Sequence, residues 1–222
     1  MKHQFIRYGA TAALALLLGA TASATTVTSR PLINPATGAV IEGSSSTIDR
    51  EPDGITVTAH TNLPPGTYTM WLVIWNNPEN CVGGEPGLLC LPPPAGGVDV
   101  PDTVQLGSGN VAPDSGVVDF GARLVVGDTS GISGGRLRTG LTNPMGAEIH
   151  VVLRSHGPVI LDMLSAQITT FGGACEVNTC ADLQAAGHRP GVPDAHEMSL
   201  QQVKRIAERI ASRLGIVVIS EQ

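Results

Sequence analysis

The chain has 222 residues, a formal charge of −6, 14% charged residues and only 3% aromatic residues. Such an acidic, aromatic-poor chain lacks the basic footprint of a nucleic-acid binder and is repelled by anionic membrane surfaces. The length suits one domain with a real core and short appendages.

Residues 1–24 read as a secretory signal. Lys2, His3 and Arg7 form a basic start, Ala10 to Ala20 an apolar run, and Ala22-Ser23-Ala24 a small-residue cleavage site. The apolar run is too short to span a bilayer, and no later segment approaches about 20 continuous apolar residues, so no transmembrane segment is expected after signal removal. Loss of Lys2 and Arg7 with the signal takes the formal charge from −6 to −8. The expected compartment is secreted or periplasmic, as for a bacterial exported protein. The expected organisation is a signal peptide over 1–24, a β-domain over 25–190, and a linker, helix and short tail over 191–222.

In the mature chain, Thr37–Glu42 is a candidate first strand and Gly43–Ser46 a flexible connector. Ile55–His60 alternates with period two, Ile55, Val57 and Ala59 on one face and Thr56, Thr58 and His60 on the other. Asn62-Leu-Pro-Pro-Gly66 has turn chemistry and predicts a hairpin into Thr67–Trp75. That run is apolar on both faces, with Trp71, Val73 and Trp75 on one side and Tyr68, Met70, Leu72 and Ile74 on the other. It predicts a central strand covered twice. The long 76–101 loop, the C-terminal helix or a partner would cover its second face.

Thr103–Leu106 predicts a short edge strand. Val117–Val126 predicts a strand with Val118, Phe120, Ala122, Leu124 and Val126 inward, and 127–135 a second loop. Glu148–Arg154 predicts a strand with Ile149, Val151 and Leu153 inward. Ala166–Phe171 is expected to be the last strand of the domain, and 187–193 a linker. Short alternating runs between Gly/Pro turns predict an all-β fold, an Ig-like antiparallel β-sandwich, with a C-terminal amphipathic helix appended. That helix is expected over 199–214, where Ser199 supplies an N-cap and Leu200, Val203, Ile206, Ile210 and Leu214 an apolar stripe. Its basic face of Lys204, Arg205, Arg209 and Arg213 is either solvated or a contact for a protein partner or a second copy. Ile216–Ile219 is a candidate final strand.

The four cysteines form two close pairs, Cys81/Cys90 and Cys175/Cys180, which read as two local disulfides in an oxidising compartment, although four cysteines allow three connectivities. Free thiols or a four-sulfur zinc site compete with that reading, but the Cys81–Cys90 spacing is too wide for a zinc half-site.

Glu148 and His150 share one strand face, about 7 Å apart at Cα, and with His156 are the candidate metal ligands. His156, about 20 Å further along an extended strand, joins them only through a sharp bend near Ser155. His60 and Asp128 are conceivable further ligands. Solvated Glu148 and Arg154 with a hydrogen-bonded His150 is the plainer account. Asn76, Asn77, Glu79 and Asn80 offer oxygen ligands of the calcium kind without EF-hand alternation, and asparagines there also suit turn capping. Gly131-Ile-Ser-Gly-Gly135 matches Gly-x-Ser-x-Gly as a string but lacks the strand and helix of a nucleophile elbow. His156-Gly157-Pro158, at a strand end where loops cluster, suits equally the lining of a ligand pocket and a turn with an exposed histidine. No catalytic set or cofactor motif emerges, and the sequence leaves any small-molecule ligand unknown.

Trp71-Leu-Val-Ile-Trp-Asn-Asn-Pro-Glu-Asn-Cys81, Glu148-Ile-His-Val-Val-Leu-Arg-Ser-His-Gly-Pro158 and Gly172-Gly-Ala-Cys175 together resemble a family of exported bacterial proteins of uncharacterised function, over roughly residues 50–190. The resemblance implies export and carries over no catalytic residue; the 199–214 helix is extra to its pattern. The functional expectation is an exported, non-catalytic binding or structural module. The alternative is a metal-binding protein or metal-dependent enzyme using Glu148, His150 and His156.

Overall fold

A computed structural model of the chain describes residues 26–81, 89–90, 99–133 and 139–192. The expected signal segment, the 199–214 helix and the 216–219 strand lie outside these residues.

Among the described residues, eight strands form two antiparallel four-stranded sheets: β1 (Thr26–Arg30), β2 (Ser45–Glu51), β3 (Gly54–Asn62), β4 (Gly66–Trp75), β5 (Thr103–Ala112), β6 (Val117–Val125), β7 (Glu148–Ser155) and β8 (Ala181–His188). One sheet has the order β1-β2-β3-β6 and the other β5-β4-β7-β8. One core cluster takes Ile48, Ile55, Val57, Phe120 and Leu124 from the first sheet and Met70, Leu72, Ile74, Ile149, Val151 and Leu153 from the second. Among the described residues no helix is long and apolar enough to cross a membrane.

β4 is the central strand its composition predicts. It pairs with β5 on one side and β7 on the other, and Trp71, Leu72, Ile74 and Trp75 are all buried. Burying side chains of this size stabilises by about 1.5–3 kcal/mol each. Its second face is covered by a short helix, α1 (Leu164–Thr169), and by the turn that follows it. Phe171 meets Trp71 edge-on at 5.3 Å between centroids, and the Arg154 guanidinium lies 4.2 Å over the Phe171 ring. Residues 166–171 are therefore helix and turn, not the expected strand. Ile168 and Thr169 carry the β-branched signal, but docking on β4 and β5 and the bonds of the buried Gln167 amide decide the outcome. That amide accepts from Ile160 N–H at 2.9 Å and donates to Pro158 O at 2.9 Å and His156 O at 3.2 Å.

β3 and β4 do not form the expected hairpin. β3 pairs with β2 through a tight turn at Pro52-Asp53 and with β6, while β4 belongs to the opposite sheet. Pro64 and Pro65 lack the N–H a ladder requires, so the chain steps across. Tyr68 Oη braces the step by donating to Pro64 O at 2.8 Å.

The other differences follow from side-chain chemistry. Ser45 and Ser46, assigned to a connector, begin β2, whose inward positions are Ser46, Ile48 and Arg50; two polar residues among three hide its alternation. Residues 37–42 make a turn and one bridge, Ile33↔Val40, in place of a strand. β5 runs on to Ala112, past an irregularity opposite Met70/Trp71. Val126 falls beyond β6 and is exposed. The segment read as the start of a linker, Gly187-His188, ends β8, a strand with no β-branched residue.

Candidate functional site

Both expected disulfides are present, Cys81–Cys90 and Cys175–Cys180. The polar side chains of chemical interest gather in three places, with His60 and Asp128 apart from all of them.

The first surrounds the start of β7. Glu148 is fully buried, not solvated. Its Oε1 accepts from Cys90 N–H at 2.6 Å and from His150 Nε2 at 2.6 Å, which places the imidazole proton on Nε2. Its Oε2 lies 3.8 Å from Arg189 Nη1. The His150 ring tilts against Trp75 at 4.7 Å between centroids. Gly187, opposite His150 on β8, is needed for this packing: a Cβ there would stand 2.5 Å from Leu89 Cδ1 and 3.1 Å from His150 Nε2.

Arg50 reaches the same end from β2. It is completely buried, donating through Nη1 to Pro144 O at 2.6 Å and through Nη2 to His188 O at 3.2 Å. Burial lowers its pKa to about 10, with the Glu148 charge opposing the shift, so the guanidinium stays charged at neutral pH. His188 is held between Thr28 Oγ1 at 3.0 Å and Ser46 Oγ at 2.9 Å. Burial, then the charges of Arg30 and Arg50, push its pKa down to about 3. His188 is thus a neutral tie between the two sheets.

The second place is the far end of β7. His156 is buried rather than exposed in a turn. Its Nδ1 donates to Gly173 O at 2.9 Å, and its Nε2 accepts from Thr69 Oγ1 at 2.8 Å. Thr69 Oγ1 in turn accepts from Trp71 Nε1 at 2.7 Å. This chain of bonds fixes the imidazole tautomer, and burial lowers the His156 pKa.

The third place is a cavity of about 340 Å³ beside the first disulfide, lined by Trp75, Asn77, Asn80, Cys81, Asp99, Val100 and Asp102. Asn76, next to it, acts as a structural clamp. Its Oδ1 accepts from Thr142 N–H at 2.7 Å and its Nδ2 donates to Gly140 O at 3.0 Å.

The structure therefore brings Glu148 and His150 together and holds His156 apart. His150 pairs with Val73 near one end of β4, whereas His156 bonds Thr67 at the other. His60 engages Asp119 at 2.7 Å on the opposite sheet. Asp128 accepts from Ser130 N–H and Oγ, bonds that lower its pKa. Among the described residues no third His, Cys, Asp or Glu closes around Glu148 and His150. Gly131–Ser133 runs beside β5 through the Gln105↔Ile132 bridge, and residues 134–138, where a nucleophile elbow would place its helix, lie outside the described residues.

Sequence reasoning missed Arg50, Thr69 and Gln167. Arg50 left one signal: it stands at an inward parity position with Ile48. No family model, curated protein or solved structure matches the chain.

Proposed function

We propose that the chain is an exported immunoglobulin-like β-sandwich that works as a binding or structural module without catalysis. One observation carries this reading. The acid–base groups that a reaction would need are engaged within the framework: Glu148 by Cys90 N–H, His150 and Arg189, His156 by Thr69 and Gly173, and His188 by Thr28 and Ser46. The immunoglobulin-like assignment is supported by strand order. β2-β3-β6 against β4-β7-β8 follows the A-B-E and C-F-G strands of that fold, with β5 beside β4 as C′ stands beside C. Export is supported by the basic and apolar start, the Ala22-Ser23-Ala24 site and two disulfides.

The test has two arms. N-terminal sequencing of chain recovered from a bacterial periplasm or medium is expected to begin at Thr25. A broad hydrolase screen on that material is expected to show no turnover; hydrolysis that disappears in His150→Ala would overturn the reading.

A metal site at Glu148 and His150 is the second reading, favoured by their 2.6 Å contact. Metal analysis of the purified chain decides it: a stoichiometric ion lost in both His150→Ala and Glu148→Gln supports this reading, and an ion-free chain indifferent to chelators excludes it.

A further inference from the structure

We infer that the Cys175–Cys180 disulfide and His156 form a reduction-gated site for a thiophilic cation such as Zn²⁺. The two sulfurs and an imidazole nitrogen of His156 all lie within 4.8 Å of one another. Cys180 Sγ stands 3.7 Å from His156 Nδ1, close to the edge of a zinc tetrahedron, about 3.5 Å for Zn–S and Zn–N bonds of ordinary length. A fourth donor faces the same point. The Gly173 carbonyl oxygen is 2.9 Å from His156 Nδ1, 3.9 Å from Cys175 Sγ and 4.0 Å from Cys180 Sγ.

While the disulfide is intact, neither sulfur is a thiolate and the site is closed to metal. A dithiol reductant opens it. Two electrons and two protons pass to the S–S bond, which breaks to two thiols while the reductant leaves as its own disulfide. Both cysteines are half-buried, so a reductant has access. The cation then displaces the two thiol protons to solvent. The imidazole proton moves from Nδ1 to Nε2, which then donates a hydrogen bond to Thr69 Oγ1 as that hydroxyl turns its own proton away, and Nδ1 is freed for the metal. Two thiolates and a neutral imidazole cancel the charge of a divalent ion, which suits a half-buried position.

The frame around the site does not depend on the S–S bond. Asn178 Nδ2 donates to His156 O at 2.8 Å, and Gln167 Nε2 holds the same carbonyl at 3.2 Å. Ala174, between Gly173 and Cys175, sits buried at φ +58°, a left-handed conformation that a non-glycine residue keeps only where its surroundings enforce it.

The experiment titrates Zn²⁺ into the full chain against a chromophoric chelator, before and after treatment with a phosphine reductant, with circular dichroism on each sample. The oxidised chain is expected to take no zinc. The reduced chain is expected to keep its sheet signal and to bind. One equivalent should vanish in Cys175→Ser and persist in Cys81→Ser, which separates this site from the Cys81/Cys90 pair beside Asp99. Thr69→Val is expected to weaken the remaining equivalent about 10-fold, as loss of a partner behind a ligand does. The inference is overturned by equal binding to oxidised and reduced chain, by equal reduced-state stoichiometry in wild type and Cys175→Ser, or by loss of the sheet signal on reduction.

Discussion

Arg50 and His188 join the two sheets at one end, the Arg50 guanidinium of β2 donating to the His188 carbonyl of β8 at 3.2 Å. The same histidine returns the link through its ring, to Ser46 on β2 and Thr28 on β1. The hydrophobic driving force has no direction of its own. The bonds from a buried charge and a buried imidazole do, so this end adds a directional constraint on the relative placement of the sheets. Glu148 supplies the compensating charge and binds the first disulfide loop through Cys90 N–H.

His188 makes stability depend on pH. Its folded pKa of about 3 lies below the unfolded value of 6.5, so below that value the unfolded chain takes up a proton that the folded chain refuses. Stability is full above about pH 6.5 and is lost as pH falls towards 3, by up to about 1.4 kcal/mol per pH unit. His156, also shifted down by burial, adds to the same slope. Urea midpoints measured between pH 7 and pH 5, above the range where carboxylates dominate, are expected to fall steadily, and less steeply in His188→Asn. An identical slope in that variant would show that His188 is solvated.

Glu148 separates a structural carboxylate from a surface one. Glu148→Ala strands the Arg50 charge and the Cys90 N–H in a buried place, a change that costs about 3–5 kcal/mol. Glu148→Gln keeps an acceptor for Cys90 and loses only the charge, so a smaller loss of about 1–3 kcal/mol is expected. Equilibrium urea unfolding of the two variants checks both the size and the order. A loss below 1 kcal/mol in Glu148→Ala would place the carboxylate in water.

How much of this was legible in the sequence follows from which signals are local. β3, β4, β6 and β7 announced themselves through period-two alternation or unbroken β-forming runs, and the disulfide pairs through spacing. β2 and β8 did not, because Arg50, Ser46, Gln184 and His188 occupy buried positions that only long-range partners make tolerable. The burial of Glu148 was equally invisible. It depends on Arg189 and Cys90, 41 and 58 residues away in sequence. The β3–β4 step shows a local signal read with the wrong partner: the two prolines mark a turn of direction, but their missing N–H groups make it a crossing between sheets.

Thr69 is predicted to matter through its hydroxyl alone. Thr69→Val keeps shape and β propensity but leaves Trp71 Nε1 and His156 Nε2 without partners, at about 1–3 kcal/mol for each stranded group. Thr69→Ser restores the hydroxyl and is expected to recover most of that loss. Comparable destabilisation in the two variants, measured by thermal unfolding, would mean that the methyl group and not the bonded chain through His156 holds this end.

Gly109 sets how closely α1 lies on the sheet. A Cβ at this position would fall 1.9 Å from Ile168 O and 2.6 Å from Ile168 Cβ, and backbone on both sides leaves no flexible side chain to yield. Gly109→Ala is therefore expected to lift α1 from β5 at a cost of about 1–3 kcal/mol, the usual range for overpacking. Because α1 and Phe171 cover the Trp71 face of β4, the lift should let water reach that indole. A red-shifted tryptophan emission in the folded state, absent from Gly121→Ala, where the added methyl meets nothing within 4 Å, is the expected signature. Unchanged emission with unchanged stability would mean that α1 does not press on β5 at this position, and the cover over the outer face of the central strand would have to be sought elsewhere.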